Sequence, residues 1–159
     1  MSSPRAFERY CAIGLTVAAV TWPAAVLFIA LEPARLPIAT VLVQTAGAIV
    51  CHQRPERSFH VEQQPLAVCA RCTGLYLSGA LGALLGWAGG ARLPRRSRRM
   101  LALAAMPTAA SLAVEWLGMN GLSNLVRALA ALSLGGATAW LFVRMLRSEA
   151  RAGTYVMIA

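Results

Sequence analysis

Five apolar runs, separated by short segments that hold most of the arginines, constrain this chain more than any other feature. The first, Tyr10–Leu31, is almost wholly apolar over 22 residues, more than the ~20 that cross a bilayer core as helix. It is too long for the apolar core of a signal peptide and no small-residue cleavage site follows, so a retained helix is expected, kinked at Pro23. Leu36–Val50 has 15 residues, about 22 Å of helix against a core of ~30 Å. It either spans with help from Cys51 and His52 or from a thinner bilayer, or it re-enters from one side. Three further runs, Cys72–Ala91, Leu101–Leu117 and Leu125–Leu146, complete the set. Along the third, Gly74, Ser78, Gly82, Gly86 and Gly90 recur at every fourth position, a stripe of small residues that lets helix backbones approach closely in lipid. This helix is expected to be the packing centre.

Composition supports the same reading. Of 159 residues 58% are apolar and 13% charged, where a soluble domain carries about a quarter charged. The expected fold is therefore all-α, a polytopic transmembrane bundle of five helices, or of four plus one re-entrant segment. Residues 1–35 hold the first helix, 36–146 the membrane core and 147–159 a cytoplasmic tail.

The net charge of +9 comes from 15 arginines against six acids, with no lysine. The arginines sit at the ends of apolar runs and are not interleaved with aromatics on a polar face, which argues against nucleic acid and for anionic headgroups at the cytoplasmic side. Arg92, Arg95, Arg96, Arg98 and Arg99 form the densest basic loop, cytoplasmic by the positive-inside rule. The third helix ends there, so its start at Cys69–Cys72 is expected on the outer face. If Leu36–Val50 spans, nine arginines lie inside; if it re-enters, ten do.

That start belongs to the one polar, reactive stretch, Cys51 to Tyr76, which holds three of the four cysteines, both histidines and three arginines. Cys69 and Cys72 lie three apart at the start of a helix, so their sulfurs share a face and can bind one metal or form one disulfide. The helix amino terminus and Arg71 favour thiolate. Turns at Pro55 and Pro65 bring Cys51 back, and His52 or His60 supplies an imidazole, giving a Cys3His set suited to zinc. Adjacent Cys51 and His52 are awkward as joint ligands, which leaves the fourth position open. Three thiolates on a divalent ion carry a net charge of minus one, which Arg54, Arg57 and Arg71 are placed to balance. A second reading is a thiol–disulfide oxidoreductase linked to a quinone, using Cys69 and Cys72 with Cys51. A plainer one is a structural staple, or reduced thiols without chemistry, and Cys11 is read as a small apolar helix residue.

Glu115 and Arg127 are the charges just inside the fourth and fifth helices. In an antiparallel hairpin they reach the same depth, where pairing offsets the cost of burying each. With Asn124 on the same rim, a polar pocket is expected from Arg54, Arg57, Arg71, Tyr76, Glu115, Asn124 and Arg127.

The segments Cys51-His52-Gln53-Arg54-Pro55-Glu56-Arg57-Ser58-Phe59 and Cys69-Ala70-Arg71-Cys72-Thr73-Gly74-Leu75-Tyr76 resemble the signature of a family of small bacterial and archaeal membrane proteins, the domain of unknown function 2085. Gly118, Ser123, Asn124 and Arg127 resemble that family's second block, with Glu115 where the family has an aspartate. The resemblance covers roughly residues 40 to 140. It implies a multi-pass protein of the cytoplasmic membrane with a candidate site and no established reaction, and it makes Tyr10–Leu31 an addition ahead of the core. Three roles follow for the outward site: zinc binding, thiol–disulfide exchange with a quinone, or docking of a protein partner or second copy by an accessory subunit.

Overall fold

The computed structural model describes residues 4–33, 35–88, 90, 94, 96–119 and 121–155. Five helices form: α1 (Pro4–Leu31), α2 (Pro37–Val50), α3 (Ala70–Leu85), α4 (Ser97–Trp116) and α5 (Asn124–Tyr155). Between α2 and α3 lie a single 3-10 turn, Pro55–Arg57, and a two-residue antiparallel ladder of β1 (His60–Val61) and β2 (Gln64–Pro65). Among the described residues, two segments are long and apolar enough to cross a membrane, Ala6–Leu31 and Asn124–Ser148.

The core of the molecule is the α3–α5 contact, with α1 and α4 packed around it. The small-residue stripe explains it. A Cβ on Gly74 would run into the Ala128 backbone and one on Gly82 into the Gly136 backbone, while Gly135 in turn faces the Leu75 carbonyl. Backbones this close gain dispersion contacts that larger side chains would forbid. Across α4 and α5, Thr108 Oγ1 donates to the Ala130 carbonyl at 2.9 Å and Ser133 Oγ to the Ala104 carbonyl at 2.7 Å. These bonds flank Pro107, a helix-interior proline whose missing N–H weakens α4 locally. Outside these seams the large apolar side chains are exposed: Ile38, Val41 and Leu42 on α2, Leu81 and Leu85 on α3, Leu103 and Met106 on α4, Leu125 and Leu129 on α5.

Several boundaries depart from the sequence pattern. α3 stops at Leu85, not Ala91, because Gly86 and Trp87 turn out of the helix, and Gly90 has open space around it. The last turn of α3 is capped from α5. Arg147 Nη1 donates to the Gly86 carbonyl at 2.6 Å and Arg144 Nη2 to the Ala88 carbonyl at 3.2 Å, cations at a helix carboxyl end. α5 runs on to Tyr155, so the segment read as a tail is helical through residue 155; Ser148 to Ala152 contain nothing that breaks a helix. Of the expected basic loop, Arg92 and Arg95 lie outside the described residues, as do Asn120 and residues 156–159.

The direction of α1 settles the geometry of α2. Trp87, just past the end of α3, donates through Nε1 to Thr16 Oγ1 at 2.8 Å, whereas Trp22 meets Tyr76 edge to face at 6.1 Å. Val26, further along α1, packs with Cys51 and Val68 ahead of α3. Thus α1 is antiparallel to α3, and Leu31 lies towards the end where α3 begins. Both Ala30 and Val43 pack on the cluster that holds Cys51. With α2 starting six residues after Leu31 and ending at Cys51, both of its ends lie at that one end of the bundle. The five expected helices are present, and α2 is the one for which the sequence leaves spanning and re-entry both open.

Candidate functional site

Three sulfurs converge at the amino end of α3. Cys51 is the residue that ends α2, its N–H still bonded to the Gly47 carbonyl at 2.9 Å while its own backbone is extended. Cys69 immediately precedes α3, also extended, and its carbonyl accepts from the Thr73 N–H at 2.9 Å. Cys72 lies in the first turn of the helix. The Sγ atoms of all three lie within 4.8 Å of one another. In a tetrahedral zinc–thiolate centre with Zn–S bonds of ~2.3 Å the sulfurs stand about 3.8 Å apart, so small side-chain rotations bring this trio to coordinating distance.

The local sequence builds this convergence by a reversal that does not depend on Pro65 alone. Glu62 and Gln63 adopt φ of 48° and 67°, the left-handed geometry of a tight hairpin turn, without glycine. The Leu66 N–H then bonds back to the Phe59 carbonyl at 2.8 Å. Gln53, itself at φ 46°, fastens the result: its Nε2 donates to the carbonyls of Gln44 and Ala67, each at 2.8 Å. The Ala67 carbonyl comes so near α2 that a Cβ on Gly47 would lie 2.5 Å from it. Finally the Cys69 N–H donates to Cys51 Sγ at 3.2 Å, tying the end of α2 to the start of α3. The Cys69 thiol is pulled from the ordinary 9.0 to about 5, first by the hydrogen bond from the Cys72 thiol and then, against the effect of burial, by backbone N–H groups and Cys51. The thiolate is the form in which a cysteine binds a metal.

Apolar walls enclose the trio. Val26, Leu66 and Val68 are buried beside Cys51, and Trp22, Val43, Phe59 and Tyr76 pack against them. His52 and His60 are both exposed, and neither belongs to the sulfur cluster. The fourth position of the expected Cys3His set is therefore not filled by His52, whose neighbour Cys51 turns inward as His52 turns out.

The arginines go elsewhere. Glu115, 6% exposed, accepts from three guanidinium groups: Arg127 Nε at 2.6 Å, Arg57 Nη1 at 3.2 Å and Arg71 Nη2 at 3.3 Å. Arg71 Nη2 also donates to Ser111 Oγ at 3.2 Å and Arg127 Nη1 to Asn124 Oδ1 at 2.8 Å. Asn124 Nδ2 continues to the Ser58 carbonyl at 2.9 Å, tying the loop to the start of α5. Glu115 is held in the last turn of α4, which closes on Gly118 at φ 82°. Arg57 and Arg71, expected to balance the thiolates, both make their contacts with Glu115. The single expected pocket is two sites. Tyr76 belongs with the sulfurs, and Arg54 is exposed, giving the site only its carbonyl, which accepts from Ser58 Oγ at 3.0 Å. Sequence reasoning gave no role to Gln53 or Ser111; Gln53 stands in the family-like segment, but a loop glutamine there suggests no particular partner.

Residues 51–141 match the family described as "Predicted membrane protein (DUF2085)". The match begins at Cys51, after α2, and covers both the sulfur trio and the Glu115 network. An uncharacterized protein of Methanocaldococcus jannaschii is 35% identical over 46 residues, 29% of this chain and 30% of that one. The chain thus aligns with less than a third of that relative's length. No solved structure matches the chain.

Proposed function

The chain belongs to the DUF2085 family of predicted membrane proteins, and from that premise we propose that it is a multi-pass protein of a bacterial or archaeal cytoplasmic membrane whose Cys51, Cys69 and Cys72 hold one zinc ion on the outer side. The observation that carries this reading is the approach of three sulfurs, from two chain segments 18 residues apart, to within 4.8 Å of one another inside an apolar wall. Three buried or half-buried thiols at one point are chemically idle unless something soft binds them or they oxidise. Thiolates select thiophilic ions, and three protein ligands leave a fourth position for water, an exogenous donor or a partner's side chain.

The antiparallel course of α1 and α3 supports four crossings, α1, α3, α4 and α5, with α2 lying at the outer end. Both termini then fall inside with ten arginines: Arg5, Arg9, Arg92, Arg95, Arg96, Arg98, Arg99, Arg144, Arg147 and Arg151. The sulfurs and Glu115 lie at the opposite end of α3, about 24 Å away along its 16 residues.

Metal analysis of purified protein tests the reading, with stoichiometric zinc expected. On intact cells a membrane-impermeant thiol reagent is expected to label the three cysteines only after chelation. Protection lost on reduction instead would replace the metal by a disulfide and favour the thiol–disulfide oxidoreductase with a quinone partner; no metal and fully titratable thiols would overturn both.

A further inference from the structure

The Glu115 network holds more positive charge than its carboxylate can use. Three guanidinium groups surround one carboxylate, an excess of two charges at a largely buried point. Burying cations beyond what a counter-ion balances is costly, and intramembrane charges of this kind mark binding sites more often than scaffolding. The donors are not used up either. A guanidinium offers five N–H groups; among the described residues the Arg57 side chain makes one hydrogen bond, and Arg71 Nε is buried without any partner.

The excess charge opens onto a cavity. Arg57 and Arg127, with Glu56, Gly121 and Leu122, line an open pocket of about 390 Å³ beside the network. Arg57 is the accessible member, with 31% of its side chain exposed against 8% for Arg127. Planar forks of this kind match the oxygens of phosphate two at a time. Glu56 on the rim lowers the net charge but leaves it positive. In the chain just ahead of Gly121, Trp116, Leu117 and Met119 are exposed, with Trp116 95% exposed. An exposed tryptophan next to paired charges is the arrangement of the headgroup layer.

We propose that Arg57 and Arg127, backed by Arg71, form a phosphate-binding site independent of the thiol centre, taking either a phospholipid headgroup or free phosphate. Glu115 gathers and positions the three guanidiniums until the anion arrives.

The full chain, purified in neutral detergent, is titrated with inorganic phosphate by calorimetry, and its retained phospholipid is measured by native mass spectrometry. Phospholipid kept through purification and not displaced by millimolar phosphate identifies the headgroup; calorimetric binding of phosphate to lipid-free protein identifies the free anion. In either case R57Q is expected to weaken binding by about tenfold, the loss of one charge-assisted contact, with zinc content unchanged. E115Q, which removes the competing carboxylate, is expected to tighten binding by a similar factor, an effect that a purely structural ion pair does not produce. The proposal is overturned if the wild-type chain holds neither ligand, if R57Q binds as the wild type does, or if folded E115Q binds more weakly.

Discussion

Two clusters share the amino end of α3 and meet at adjacent residues, Arg71 and Cys72, yet they are built in opposite ways. Around Glu115 nearly every contact is a charge-assisted hydrogen bond, running from Arg71 and Arg127 through Asn124 to the Ser58 carbonyl. Around the sulfurs the neighbours are apolar, and polar contact is limited to backbone N–H groups on Cys51 and Cys69 and the bonds among the thiols themselves. The first cluster is held together by its own attraction. The second is held mainly by the scaffold around it, and within the described structure only thiol and backbone hydrogen bonds join its three sulfurs. A site that gathers soft donors without using them for cohesion is prepared for an outside ligand; a site that saturates a carboxylate is prepared to hold a fold as well.

The largest test of this contrast removes a sulfur. Cys69→Ser or Cys72→Ser is expected to lower zinc affinity on the order of a thousandfold, a modest part of the ~10–16 kcal/mol that such centres bind with, read as metal content against a graded chelator. The Glu115 side should be indifferent: Glu115→Ala should destabilise the metal-free variant by as much as it does the metal-free wild type. If the two losses are not additive, the clusters are coupled after all.

Next comes Glu115→Ala, which strands three guanidiniums at a buried site. A loss of about 3–5 kcal/mol is expected, the usual cost of removing one partner of a buried ion pair, measured by denaturant unfolding in detergent. Zinc stoichiometry in the surviving folded fraction should stay near the wild-type value; a parallel fall in metal would merge the two clusters into one site.

Gln53→Ala probes the scaffold alone. Its two carbonyl contacts hold the α2 end against Ala67, and through them Cys51 against Cys69. A drop in zinc affinity of about tenfold is expected, the scale of an outer-shell loss, with no change in the Glu115 network. An unaltered affinity would move the work of placing Cys51 onto Gly47 and the hairpin.

A final test is in pH. Because the Cys69 thiol is lowered to about 5 in the fold and returns to 9.0 when unfolded, its thiolate contributes stability that is complete above 9.0 and lost as pH falls through about 5. In metal-free protein, alkylation of Cys69 should therefore persist across neutral pH and fade only near that lower limit. A rate that tracks an ordinary thiol would show the sulfurs to be further apart in solution.

Much of this was legible in the chain. The apolar runs gave the five helices to within a few residues at most ends, and the repeat of Gly74, Ser78 and Gly82 pointed to α3 as the packing centre, since a missing side chain on one face has few other uses in lipid. The Cys51–Tyr76 stretch announced reactive side chains, and Glu115 with Arg127 announced a pair because two opposite charges in neighbouring apolar helices have little alternative to meeting. What failed was direction. His52 was a reasonable ligand by spacing, but the extended backbone at Cys51 sends adjacent side chains to opposite sides. Arg57 and Arg71 were assigned to the thiolates because they were near in sequence, while Glu115, 44 and 58 positions away, claimed them in space.

Sequence alone therefore determined the solvent the chain is made for, the number of its helices and the inventory of chemically useful groups, because hydrophobic length and residue type act locally. The tertiary structure decided which groups meet: that α1 runs against α3 and leaves α2 at one end, that three sulfurs share a point, and that the arginines gather on one carboxylate. Those outcomes rest on long-range packing and on the turn at Glu62–Gln63, whose left-handed geometry no residue type there foretells.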